Sequence, residues 1–72
     1  MKFATKESFE AAFATMSAKA KLQITTLDLS ETQVSDVTAL AGLTNLTTLY
    51  LGGTQVSDVT ALAGLTKLGI YR

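Results

Sequence analysis

The chain of 72 residues predicts an α/β fold: an N-terminal capping helix, then about two and a half coils of a right-handed α/β superhelix with a small parallel sheet. Three observations predict it. A 13-residue phrase, Thr-Gln-Val-Ser-Asp-Val-Thr-Ala-Leu-Ala-Gly-Leu-Thr, stands at 32–44 and again, letter for letter, at 54–66. At that offset of 22 residues, positions 27–48 and 49–70 agree at 16 of 22 places, and a fixed period of this size marks a solenoid whose neighbouring coils bury each other's apolar side. Leu27 and Leu29, like Leu49 and Leu51, alternate with polar residues at period two, as in a strand with one buried face. Residues 1–21 lack the repeat altogether. There Phe9, Phe13, Met16 and Ala20 fall at i, i+4, i+7 and i+11, with Ala12 beside them, one stripe of an amphipathic helix.

Taken in order, the helix is expected over roughly residues 5–20. Thr5 is placed to cap it, Glu7 lies in the first turn where the helix dipole favours negative charge, and Lys19 and Lys21 lie at the opposite end. Its Phe and Met stripe reads as packing on the first coil, since the end of a solenoid needs covering. Residues 1–21 are then a cap and 22–72 the repeats, with coils starting near 24, 46 and 68, all one folding unit.

Strands are expected near 25–29 and 47–51. The rest of each repeat, 35–44 and 57–66, must carry the chain back to the start of the next strand. Val37, Leu40 and Leu43, at steps of three, suit a tight helical turn with its inner edge in the core. Ser35 and Asp36 precede it as capping oxygens and Gly42 follows as a stop, with Ser57, Asp58 and Gly64 in the same places one coil on. The competing reading, a continuous helix over 36–51, would have to absorb Gly42 and four threonines.

Composition narrows the function. Hydrophobic residues at 47% and charged residues at 17% describe a globular chain, though one that buries only roughly 60% of its unfolded surface. Six basic residues balance six acidic ones, so no basic stripe exists to displace counterions from nucleic acid. No apolar run approaches the length of a membrane span, and no apolar h-region follows Lys2, so neither a span nor a signal peptide is expected; the chain as it stands reads as cytoplasmic. With no Cys and no His, the usual nucleophile–base pairs and nitrogen or sulfur metal sites cannot be built, and no enzyme activity, cofactor or metal is expected. Asp36 and Asp58 are equivalent and would stack on adjacent coils. Paired carboxylates can serve acid–base chemistry or a hard cation, but each also heads a turn, and capping explains them first.

Residues 24–34 (Ile-Thr-Thr-Leu-Asp-Leu-Ser-Glu-Thr-Gln-Val) and 46–56 (Leu-Thr-Thr-Leu-Tyr-Leu-Gly-Gly-Thr-Gln-Val) both match the segment L-x-x-L-x-L-x-x-(N/C/T)-x-L of a leucine-rich repeat. With 22 residues per coil and the connecting phrase Val-Ser-Asp-Val-Thr-Ala-Leu-Ala-Gly-Leu-Thr-Asn-Leu, the chain resembles the bacterial internalin-type class from about Ile24 to Leu68. The resemblance implies a helical cap before the first repeat, and similar proteins are often bacterial surface or secreted proteins. Two departures stand out. Thr32 and Thr54 hold the turn position where that class usually has Asn, and Ala39 and Ala61 stand where it tends to carry Pro. Near-identity of the copies points to recent duplication or to consensus-style construction, and a truncated or designed piece of a longer array fits equally.

What the sequence offers is a surface. Residues alternating with the core leucines should face the concave side: Thr26, Asp28 and Ser30 on the first strand, Thr48, Tyr50 and Gly52 on the second, Ile70 and Arg72 on a third, with Tyr71 at a core position. Tyr and Arg are enriched at binding hot spots, so a protein partner is expected there. The opposing reading is a set of merely soluble strand residues on a unit with no partner but itself. Beyond Leu68 few residues remain to cover the second coil, so Leu62, Leu65 and Leu68 are expected to meet water beside an unpaired edge strand. Two-fold pairing through residues 60–72, with Ile70 and Tyr71 in the contact, would close that end as a homodimer or higher even assembly.

Overall fold

The computed structural model describes all 72 residues. Thr5 caps the first helix, α1 (Lys6–Thr15), by accepting the Ser8 amide at 3.1 Å. The expected single helix is two. At Met16 the backbone turns extended, and Ser17 caps a second short helix, α2 (Ala18–Leu22), by accepting the Ala20 amide at 3.1 Å. Serine competes well for a helix N-terminus and poorly for its interior, which accounts for the restart. The stripe is shortened in consequence: Phe9 and Phe13 are buried and Met16 half-buried, while Ala20 is exposed.

Three parallel strands follow in sequence order, β1 (Thr26–Asp28), β2 (Thr48–Tyr50) and β3 (Gly69–Tyr71). They are linked by 3-10 turns at Thr38–Leu40 and Thr60–Leu62, not by a continuous helix over 36–51. Asp36 and Asp58 fix these turns, each accepting the amide and the hydroxyl of the threonine two residues on, Thr38 or Thr60. Gly42 and Gly64 are not the left-handed stops the sequence suggests. Neither has a positive φ, and a Cβ on either would meet nothing. The left-handed residues are Glu31 (φ 62°) and its counterpart Gly53 (φ 73°), in the turn after each strand. At the threonine that follows, Thr32 Oγ1 donates to the Leu29 carbonyl at 2.7 Å and Thr54 Oγ1 to that of Leu51 at the same distance; both bonds close the turn itself.

Fifteen buried residues, from Phe9 to Leu65, form one cluster, so α1 and both coils share a core, to which α2 contributes no buried residue. Phe3 joins it by packing edge-on against Phe9 and Phe13, with ring centroids 5.7 and 6.2 Å apart. Residues 1–3 do more than that. The Met1 amino group donates to the Thr26 carbonyl at 3.1 Å, Asp28 N–H to Met1 O at 2.8 Å, and Phe3 N–H to Asp28 O at 3.1 Å. The outer edge of β1 is thus paired, which removes an edge otherwise open to other chains.

β3 departs from the 22-residue period. Thr26, Leu27 and Asp28 pair with Thr48, Leu49 and Tyr50, but those three pair with Gly69, Ile70 and Tyr71, one residue early. Entering β2, the amides of both Thr47 and Thr48 donate to the Thr25 carbonyl; entering β3, Gly69 alone donates to that of Thr47. One residue fewer reverses every side chain that follows. Ile70 therefore stands opposite Leu49 and packs half-buried against the core, and Tyr71 leaves the core position expected of it.

Candidate concave-face site

Two rows of side chains cross the concave face. One is Thr26, Thr48 and Gly69. The other begins with Lys2, which bridges to Asp28, and runs through Asp28 and Tyr50 to Tyr71. Ser30 and Gly52 lie just past the ends of their strands. The slip of β3 sets the membership: Tyr71 belongs to this face, and Ile70, expected here, does not. Arg72 is exposed beyond the end of β3 and outside both rows.

Tyr50 and Tyr71 stack, with centroids 5.3 Å apart and planes at 28°. They remain 40% and 56% exposed, and with Met1 and Leu22 they are the large apolar side chains left in water. Flat ground surrounds them. Gly69 and Gly52 carry no side chain, and a Cβ on Gly52 would find only the Arg72 backbone at 3.8 Å and Ser30 Oγ at 4.0 Å. The tyrosine pair forms a ridge in which each ring packs on the other.

Asp28 is held by the Ser30 amide, 2.9 Å from its Oδ1, and approached by Lys2 Nζ at 3.4 Å from Oδ2. The Ser30 bonds, and less strongly the Lys2 charge, hold its carboxyl below the usual aspartate range. The ion pair is exposed and contributes little to stability. Its place on the face matters more, since a charged pair stands directly beside an aromatic one.

Lys2, Gly69 and Tyr71 are the three residues of this face that the repeat pattern does not reveal. For Tyr71 a signal existed: Gly69-Ile70-Tyr71 aligns with Thr48-Leu49-Tyr50 once one residue is dropped after Leu68. The other expected surface, the end of the second coil, is better covered than the sequence suggests. Leu62 and Leu65 are only 4% and 8% exposed, and Leu68 is half-buried beside Ile70. Tyr71 lies on the concave face. The carboxyls of Asp36 and Asp58 are engaged by Thr38 and Thr60, and no three acidic side chains come together. No helix is long and apolar enough to cross a membrane.

The family model described as leucine rich repeats, in two copies, matches residues 23–68. A comparison with curated proteins gives no match.

Proposed function

The chain belongs to the leucine-rich repeat family, and from that premise we propose that it is a binding module whose concave sheet engages a protein, with Tyr50 and Tyr71 as the anchor. The exposed tyrosine stack carries the reading. Aromatic side chains lose little entropy on binding, and Tyr is enriched where interfaces concentrate their energy. Thr26, Asp28, Thr48 and Gly69 would form the ground around the anchor, with Ser30, Gly52 and Arg72 at its rim. The 22-residue coil adds a resemblance to the internalin-type class, and with it a bacterial surface or secreted setting for such a module.

The test is to select binders from a displayed protein library and map them with two variants. Tyr50→Ser/Tyr71→Ser should weaken the selected binders at least tenfold, while Ala61→Lys, on the turn side, should leave them unchanged. Binders indifferent to the tyrosine pair would refute the concave reading.

A second reading is favoured by the open outer edge of β3, which pairs on one side only. In it the chain is a minimal repeat unit, natural or designed, that associates only with itself, two copies meeting about a two-fold axis through residues 60–72. Leu62, Leu65, Leu68, Ile70 and Tyr71 would lie in or beside that contact. Monomer mass in equilibrium sedimentation at tens of micromolar would exclude it.

A further inference from the structure

The row Lys2, Asp28, Tyr50, Tyr71 sets unlike groups side by side. Within the strands the two copies agree at both core leucines, Leu27 and Leu29 against Leu49 and Leu51, and differ between them, Asp28 against Tyr50. A carboxylate therefore stands beside an aromatic ring at one junction only, β1 with β2, whose register pairs the two residues directly. That junction is interior to the sheet: β3 lies on one side and residues 1–3 on the other.

The orientation of the Tyr50 ring follows from its neighbour. Its centroid lies 5.3 Å from that of Tyr71, with planes at 28°, close to the spacing of adjacent strands at about 4.8 Å. The two rings thus face each other across β2 and β3, and the opposite face of Tyr50 looks towards Asp28. Aspartate is the shorter side chain, so above its carboxylate that ring face is bare. Asp28 is already aimed. Its Oδ1 accepts the Ser30 amide at 2.9 Å, while Oδ2 has only Lys2 Nζ at 3.4 Å, on a side chain 70% exposed. Lys2 comes from the outer side of β1, away from Tyr50, and no cation of the chain lies on the Tyr50 ring.

We propose that this step between Asp28 and Tyr50 receives an arginine side chain of the protein partner, its guanidinium stacking on the ring and donating to Asp28 Oδ2. The inference rests on the concave reading and names the chemistry which that reading leaves open. A planar cation matches both walls at once, gaining from the ring face and from the carboxylate. A lysine ammonium would satisfy the carboxylate but cannot lie flat on the ring. The face has one such step, with the flat ground of Gly52 and Gly69 beyond the ridge. The arginine therefore also fixes the partner's register.

The probe is a displayed protein library selected on the 72-residue chain and counter-selected on Tyr50→Ser/Tyr71→Ser, which leaves binders that use the ridge. Each is expected to carry an arginine whose change to Gln weakens binding about tenfold and whose change to Lys weakens it about fivefold. Asp28→Asn keeps the oxygen that the Ser30 amide needs and removes only the charge. It should weaken the parent binder about tenfold and leave the Gln binder unchanged, so that the two losses do not add. Lys2→Ala should leave binding unchanged or tighten it up to about threefold, because a neighbouring positive charge is lost. The inference is overturned, with the concave reading intact, if the recovered binders tolerate the loss of every arginine, or if Asp28→Asn weakens the parent and Gln binders alike. Weakening by Lys2→Ala would also overturn it, since the intact ion pair would then be what the partner contacts. If no binder survives counter-selection, the concave reading itself fails and this inference falls with it.

Discussion

The two coils carry one 13-residue phrase in two settings: the first lies between the phenylalanines of the helical cap and the second coil, and the second lies on the first. Leu40 is completely buried and Val37 nearly so; their copies Leu62 and Val59 are 4% exposed and half-buried. Thr32 is buried and Thr54 half-buried, although both make the same 2.7 Å bond within the turn. Local geometry is thus set by the phrase, whereas burial is set by the neighbour. That separation is the general property of a solenoid, in which intrinsic and interface energies add. Here the same letters stand in both places, so any difference in energy belongs to the interface.

Truncating the leucine in each coil should widen this contrast most. Leu40→Ala is expected to cost about 4 kcal/mol and Leu62→Ala about 2.5 kcal/mol, because the outer cavity opens towards water and relaxes more easily. The first is close to the whole stability of so small a domain, so its cooperative urea transition should disappear, while that of Leu62→Ala should persist at lower urea. Equal losses would mean that the second turn is covered after all. Phe13→Ala, on the sealed side, should fall between them at about 3 kcal/mol.

A smaller effect of opposite sign in the two coils is expected at the left-handed position. Gly53→Ala should cost about 2 kcal/mol, since φ is positive and the new Cβ would lie 2.7 Å from the Glu31 carboxyl group. Glu31→Gly should gain about 1 kcal/mol by relieving the same conformation in the first coil. In the double variant the alanine should cost less than it does alone, and strict additivity of the urea midpoints would count against the contact.

Smaller still is the threonine pair. Thr32→Val should cost about 1.5 kcal/mol and Thr54→Val about 1 kcal/mol, because the Leu29 and Leu51 carbonyls keep the amide of that residue at 3.2 Å but lose its hydroxyl, and the second turn is nearer to water. A valine variant as stable as the parent would remove the hydroxyl from the list of turn-closing bonds.

The aspartates should break the comparison, for they ought to behave alike. The Thr38 hydroxyl and then its amide hold the Asp36 carboxyl below its ordinary 3.8, and Thr60 does the same for Asp58. Ionisation is favoured in the folded state, so the stabilisation is complete above about pH 4 and is lost as pH falls through the lowered native value. Asp36→Asn and Asp58→Asn should each flatten the acid limb of stability, measured as urea midpoint against pH, to the same small extent. Unequal flattening would show that coil stacking reaches even these exposed turns.

The coils and their turns were legible from the sequence because a period and an alternation survive any ignorance of tertiary contacts. What escaped depends on contacts at long separation. Nothing near Lys2 or Phe3 announces that residues 1–3 will pair with residues 26–28. The break at Met16 turns on a competition between Ser17 as cap and as helix interior, which the Phe stripe conceals. Ile70 and Tyr71 are both apolar enough for either face, so hydrophobicity could not fix their parity. Only the backbone bond of Gly69 decides it, and Tyr71 reaches the candidate site by that one-residue difference.

The parallel pairing also governs how the chain can fold. Lys2 meets Asp28, Thr26 meets Thr48 and Thr48 meets Gly69, separations of 26, 22 and 21 residues. Closing loops of these lengths differs in entropic cost by only about 0.2 kcal/mol, and no hairpin offers a shorter first step. Loop length therefore cannot choose which junction forms first. That choice falls to the apolar surface each junction hides, which includes three phenylalanines on the helix side, so folding is expected to spread outward from Leu27 and to reach Tyr71 last: Phe13→Ala should slow folding, and Tyr71→Ser should chiefly speed unfolding.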